Sequence, residues 1–189
     1  MKRASRRERG FTLMELMVTV VILGILTMVA TVGYNKYKIK AKTTEAVSFL
    51  ANIKMKQETY FQTYGQYVDT SNSPTSHSES DFYPAFPGSR SSEDMDWGMK
   101  CPGDQLQYPG WCALGARPTG NKASFQYVTV GWATGDAKPP TRYIKDFTRR
   151  WWYAEARGNL RFETDAEQIY STFILTSEVT TPMMFNENN

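Results

Sequence analysis

Glu15 is the residue whose position most needs a chemical explanation. It sits near the start of "FTLMELMVTVVILGILTMVATV", residues 11–32, a stretch that is otherwise apolar. A carboxylate in hydrocarbon costs on the order of 3 kcal/mol by insertion scales, so an acidic residue there is expected to have a partner and a function. Cys101 and Cys112, the only two cysteines, are the next candidates, as a disulfide. His77, the single histidine, lies in "SPTSHSES" and reads as a solvated loop residue, not a general base. Glu93, Asp94 and Asp96 in "SEDMDWG" lack the regular ligand spacing of a calcium loop and read as a solvated acidic turn. Lys138, Arg142, Lys145, Arg149 and Arg150, interleaved with Tyr143, Phe147, Trp151 and Trp152, have the composition of a nucleic-acid surface. Strand alternation would turn half of these inward and Asp136 and Asp146 dilute the charge, so DNA contact is not the favoured reading. Two thiols and one distant His77 do not make a tetrahedral zinc set. With no nucleophile elbow or phosphate-binding glycine loop, no enzyme activity, cofactor or metal is expected.

The element that must position Glu15 is a helix long enough to span a membrane. Its 22 apolar-run residues extend roughly 33 Å at about 1.5 Å per residue, against a hydrocarbon core of about 30 Å. The chain has 189 residues, a mean hydropathy of −0.50 and 41% hydrophobic residues, which leaves room for one modest globular domain beside this single span. Lys2, Arg3, Arg6, Arg7 and Arg9 against Glu8 give the first ten residues +4, while the whole chain carries +3. Everything after the leader is therefore nearly neutral, and the basic flank orients the N-terminus to the cytoplasm. A cleaved secretory signal fits poorly, because the apolar core is long and "TMVATVGY" offers no small-x-small site. An ordinary signal anchor fits the length but leaves Glu15 unexplained.

A third reading accounts for the whole stretch. "RRERG|FTLMELMVTVVILGILTMVA" resembles the class III signal of type IV pilins and type II secretion pseudopilins over about the first 35 residues. The resemblance implies that a prepilin peptidase cuts between Gly10 and Phe11, that the new Phe11 amine is methylated, and that the apolar helix is retained. The released amine and Glu15 lie four residues apart, one helical turn along. Each charge would be costly alone in an apolar bundle. If Glu15 of one subunit meets the Phe11 amine of the next, the cost is relieved only on assembly; a pair satisfied within one chain is the alternative. The sequence departs from major pilins in one respect: Val32 and Gly33 stand where a proline is common, so the helix is expected to be more continuous there.

Beyond the membrane, Ala46, Phe49, Leu50, Ile53, Tyr60, Phe61 and Tyr64 form a stripe at helical spacing, with Gln57 as its polar member, and predict a helix face packed on a sheet. Lys36, Lys38, Lys40 and Lys42 mark the exit from the bilayer and read as solvated or near headgroups. Gly65 is the expected stop. The Ser-, Pro- and Gly-rich connection that follows carries Phe82, Tyr83, Phe86, Trp97 and Trp111 to bury, so it is not a disordered linker. Cys101 and Cys112 fall in it, in the compartment where disulfides form.

Three stretches of period two, "SFQYVTVGWATG", "RRWWYAEARGNL" and "YSTFILTSE", predict antiparallel strands, with a fourth in "PMMF" or the connection. "WYAEARGNL…STFILTS" also resembles the ending of proteobacterial pilins, with its Gly-Asn-Leu turn. The expected fold class is α+β and pilin-like, a long N-terminal helix whose second half packs on three or four antiparallel strands. The expected organisation is a cleaved leader (1–10), a transmembrane and filament-core helix (11–33), its amphipathic half (34–65), a long αβ loop with the disulfide (66–123), and the sheet with a C-terminal tail (124–189). The functional expectation is a non-enzymatic subunit of a type IV pilus-like filament. Its size, missing proline and long aromatic loop favour a minor pilin of the initiation or tip complex over a major pilin or a pseudopilin. A membrane-anchored periplasmic binding module and a DNA-uptake pilin are the rivals from other classes. Expected partners are other pilin subunits, the prepilin peptidase, the inner-membrane assembly machinery and, before assembly, lipid. The expected location is the inner membrane, then a cell-surface filament.

Overall fold

The computed structural model describes residues 10–72, 77–85, 94–101, 103–104, 107–132, 143–146, 148–158 and 171–185. Most of the leader, Phe86, Glu93, Lys138, Arg142, Phe147 and the Asn159 and Leu160 of the Gly-Asn-Leu turn lie outside the described residues. The chain divides into two units, Met1–Lys40 and Ala41–Asn189. Helix α1, Leu13–Tyr64, supplies residues to both. Its first part is apolar on all sides and long and apolar enough to cross a membrane. It runs through Val32 and Gly33 without interruption, as expected where no proline removes a donor. Gly65 ends the helix with φ 68°, a left-handed conformation that favours glycine, and its amide donates to the Phe61 carbonyl at 2.7 Å.

The second unit is α+β. Strands β1 (Met95–Asp96) and β2 (Lys122–Ala123) form a small antiparallel pair, and the six-residue helix α2 (Pro109–Leu114) lies between them in sequence. Strands β3 (Gln126–Gly131), β4 (Trp152–Gly158), β5 (Ser171–Thr176) and β6 (Met183–Phe185) form one antiparallel sheet in sequential order. The fourth strand is therefore the "PMMF" segment. Registers such as Val130 opposite Tyr153 and Ala156 opposite Phe173 assign the faces. Tyr127, Thr129, Trp152, Ala154 and Ala156 point toward α1, where the rings of Phe49 and Tyr127 meet at 4.6 Å. Val128, Val130 and Tyr153 point the other way and pack with Phe82, Ile144 and Trp151. Both faces of the sheet are thus covered, one by helix and one by loop, which is why β3, β4 and β5 are buried almost throughout and not on alternate residues, while the edge strand β6 is half-buried.

The stripe on α1 is shorter than its sequence periodicity. Lys42, Ala46, Phe49, Leu50, Ile53 and Gln57 are buried, but Tyr60 and Phe61 are only half-buried and Tyr64 is exposed. Among the described residues the last polar contact of α1 with the sheet falls at Glu58, which accepts from the Trp152 indole at 3.1 Å. Past that point the aromatics pack on one another, Tyr60 on Tyr64 at 4.4 Å and Phe61 on Tyr67 at 4.5 Å. Gln57 is a clasp. Its Nε2 donates to the Val68 carbonyl (2.8 Å) and to Thr129 Oγ1 (2.9 Å), and its Oε1 accepts from the Val68 amide (2.9 Å). One buried amide side chain therefore ties helix, returning chain and edge strand together.

The connection before the sheet folds around Trp97, which is fully buried and meets Phe49, Tyr83 and Trp111 edge-on at 5.2, 4.8 and 5.1 Å. Cys101 and Cys112 are bonded to each other, with Cα atoms 5.5 Å apart.

Candidate functional site

Thr12 precedes the first turn of α1 and Glu15 lies three residues later, and the two close a capping box. The Thr12 amide and hydroxyl both donate to Glu15 Oε2 at 3.0 Å, and the Glu15 amide donates back to Thr12 Oγ1 at 3.2 Å. The carboxylate therefore satisfies a helix N-terminus whose amides have no intrahelical acceptors, and its negative charge opposes the positive end of the helix dipole. Part of what Glu15 does is local, and its partner there is Thr12. Glu15 Oε1 makes no hydrogen bond among the described residues. Phe11 lies before the helix and is exposed. The T-x-x-E pattern ahead of an apolar run was the available signal for Thr12.

Among the described residues nothing requires a glycine at position 10. No described residue lies within 4 Å of where its Cβ would be, and its φ is outside the left-handed region. From Leu13 to Val32 every residue is exposed, including Val18, Ile22, Leu26 and Val29. A helix that is apolar on every side and covered by nothing in its own unit belongs in lipid or against other helices.

The profile of the prokaryotic N-terminal methylation motif matches residues 5–31. The N-terminal segment carries this motif and is similar to type IV pilins. The chain is 37% identical to the type IV major pilin protein PilA of Myxococcus xanthus over 70 residues, 37% of this chain and 32% of that one. It is 33% identical to the type IV major pilin protein PilE1 of Neisseria gonorrhoeae over 66 residues, 35% and 40% of the two chains. With a fimbrial protein of Pseudomonas aeruginosa it shares 40% identity over 53 residues, 28% of this chain and 34% of that one. These matches span about a third to two-fifths of the curated relatives' length. No solved structure matches the chain significantly. The segment that matches the methylation motif thus carries the capping box, Gly10 and the exposed apolar surface together.

The other expected site residues fall into structural roles. His77 is not solvated: its side chain is 12% exposed, with Nδ1 3.0 Å from the Tyr153 hydroxyl and Nε2 3.2 Å from Glu155 Oε2. Arg157 reaches the other Glu155 oxygen at 3.3 Å and lies over the Phe82 ring at 4.3 Å. These contacts pin the αβ loop to the outer face of β4, over a sequence separation that periodicity cannot reveal. Burial and the nearby Glu155 charge push the Tyr153 phenol far above its ordinary value, so it stays a neutral hydroxyl.

Asp94 pairs with Lys42 at 3.6 Å and lies 2.8 Å from the Ser124 hydroxyl oxygen, so Lys42 is buried in an ion pair and not left at a headgroup. Among the described residues no three His, Cys, Asp or Glu side chains converge on a metal position. In the basic run, Trp151 and Trp152 are buried, Arg149 pairs with Asp146 at 3.6 Å, and Arg150 lies over Trp132 at 5.0 Å. The tryptophans that could stack on bases are core residues.

Proposed function

We propose that this chain is a structural, non-enzymatic subunit of a type IV pilus-like filament. It would be released from its leader by cleavage between Gly10 and Phe11, methylated on Phe11, and assembled with other pilin subunits through residues 11–33. The observation that carries this reading is the exposed apolar helix headed by a capped Glu15. The methylation motif over residues 5–31 supports it, as does a Gly10 that the fold itself does not require, as expected for a residue read by a peptidase. Before assembly the span would sit in the inner membrane with its basic leader on the cytoplasmic side. After assembly Glu15 would take the neighbouring subunit's Phe11 amine on its free oxygen while keeping Thr12 on the other. Cleavage leaves the Thr12 amide in place, so cap and docking are compatible.

Intact-mass analysis of the membrane-extracted chain tests the reading. A chain starting at Phe11 and carrying one methyl group is expected; a chain starting at Met1, or cut after Ala30, contradicts it.

Within that function we place the chain as a minor pilin, on its long aromatic loop and its missing proline. The major-pilin reading has the names of the relatives in its favour. Quantitative mass spectrometry of sheared filaments separates them: a minor pilin is present at a few copies per filament, and a major pilin dominates the preparation.

A further inference from the structure

A cavity of about 120 Å³ opens in the second unit between residues 69–72, residues 80–83 and the start of α2. Two carboxylates, Asp69 and Asp81, and no cationic side chain line it among the described residues. The two acids are held differently. Asp81 is buried, and its Oδ1 accepts from the Asn72 amide at 3.1 Å and from the Asn72 side chain. Its Oδ2 accepts from the Ser78 amide and hydroxyl at 2.7 and 2.9 Å. A proton on Asp81 would displace one of these donors, so the arrangement suits the ionised form. Burial opposes that charge, yet the bonds from Ser78 and Asn72 hold the carboxyl below its ordinary value. Asp69 accepts only from the Ser71 amide and hydroxyl among the described residues, at 2.7 and 2.6 Å, and both bonds fall on Oδ1. Its Oδ2 is the oxygen left for a proton.

Asp69 cannot retreat from that neighbour. Val68 before it is clasped by Gln57, and Thr70 after it donates its amide to the Thr129 carbonyl at 2.9 Å. Gly110 seats α2 against the Asp69 carbonyl oxygen, where a Cβ would collide. The 3₁₀ turn Glu79–Asp81 meets residues 69–72 through the Asn72–Asp81 bonds. Other titratable groups surround the pair: His77 before the turn, Tyr83 after it, Asp104 and Tyr108 ahead of α2, and Tyr153 on β4. Arg157 on β4 is engaged by Glu155 and Glu79 at 3.3 and 3.8 Å. We propose that Asp69 and Asp81 form an acid-closed joint, in which protonated Asp69 lets the turn sit tightly on residues 69–72 and ionised Asp69 loosens it. Like charges sharing one small cavity favour a proton on the less firmly held acid. Burial first, and then the Asp81 charge, raise the Asp69 carboxyl to about 6. The closed joint therefore holds its proton more tightly than the open one and loses its advantage as pH rises through about 6. The proposal does not depend on filament assembly.

The test is hydrogen exchange of the full chain in detergent, resolved to single amides and corrected for the intrinsic pH dependence of exchange. The reporters are the amides of Asn72, Ser78 and Asp81, all bonded within the joint. Their protection should be about tenfold greater at pH 5.0 than at pH 7.5, while residues 46–57 of α1 show no such change. Asp69→Asn keeps an acceptor for Ser71 and cannot ionise, so it should retain the pH 5.0 protection at both values. A dependence that survives in Asp69→Asn would belong to another group, His77 first among them, and would overturn the proposal. Equal protection at the two pH values in the unmodified chain, or greater protection at pH 7.5, would overturn it without any variant.

Discussion

Residues 13–34 and residues 42–57 of α1 are both helical, yet they meet the hydrophobic effect in different ways. In the first stretch Val18, Ile22, Leu26 and Val29 are all at least 49% exposed. In the second, Ala46, Leu50 and Ile53 are fully buried, and the flanking polar residues bind the rest of the unit. Glu45 accepts from the Ser124 amide and hydroxyl at 2.8 Å, and Lys54 donates to the Val179 carbonyl at 3.0 Å. The second stretch is folded by its own chain, while the first has an apolar surface that only lipid or another subunit can cover. Stability and assembly should therefore be separable by position along one helix.

The largest expected effect sharpens that contrast. Ile53→Ala should lower the stability of the second unit by about 2 to 5 kcal/mol, the cost of emptying a fully packed site. Leu23→Ala should leave the same thermal transition unchanged, because Leu23 is 62% exposed. Thermal melts of the two variants in detergent check this, and equal losses would break the comparison. Next comes Gln57→Leu, which leaves the Val68 amide and carbonyl unpaired beside a fully buried side chain. A loss of about 3 kcal/mol is expected from the buried polar groups left behind, with faster amide exchange at Val68 as its local signature.

Asp69 gives a smaller effect with a sign that depends on pH. Burial is the main cause that raises its carboxyl to about 6 from an ordinary 3.8, against the bonds from Ser71. The native state therefore holds this proton more tightly than the unfolded chain. Its contribution to stability is complete below about pH 3.8 and is lost as pH rises through about 6. Asp69→Asn should raise the melting temperature at pH 7.5 and give no gain near pH 3.5. A gain of the same size at both values would mean that the charge is not the cause. Smallest is Thr12→Ala, which removes the hydroxyl half of the cap, worth about 1 kcal/mol of helix stability. Amide exchange should quicken in the first turn of α1 while the second unit melts unchanged.

Much of this was legible in the sequence, wherever the cause is local. The apolar run, Gly65, the stripe from Ala46 to Ile53 and the three period-two strands all follow from spacing and turn chemistry. The "PMMF" strand was open between two places, because three residues carry too little periodicity to decide. Other features depend on partners far along the chain. His77 looked solvated because its neighbours are serines, yet Glu155 and Tyr153 bury it from more than 70 positions away. Lys42 looked like a headgroup residue until Asp94 came to meet it. Tyr60 to Tyr64 kept the stripe's spacing past the place where the sheet ends. Thr12 differs in kind, since its signal was local and was masked by the more conspicuous charge of Glu15.

The central claim is that Glu15 serves assembly more than insertion, and Glu15→Val tests it most directly. Processed, membrane-inserted chain should be unchanged or increased by immunoblot, because removing a carboxylate from the span lowers its transfer cost. Incorporation into sheared filaments should fall steeply, since a neighbour's amine left without its counter-charge in an apolar bundle costs about 3 to 5 kcal/mol. Thr12→Ala, which weakens the cap but keeps the carboxylate, should assemble nearly as well as the unmodified chain. Undiminished incorporation of Glu15→Val would mean that the capping box is all the charge is for, and the docking account would be wrong.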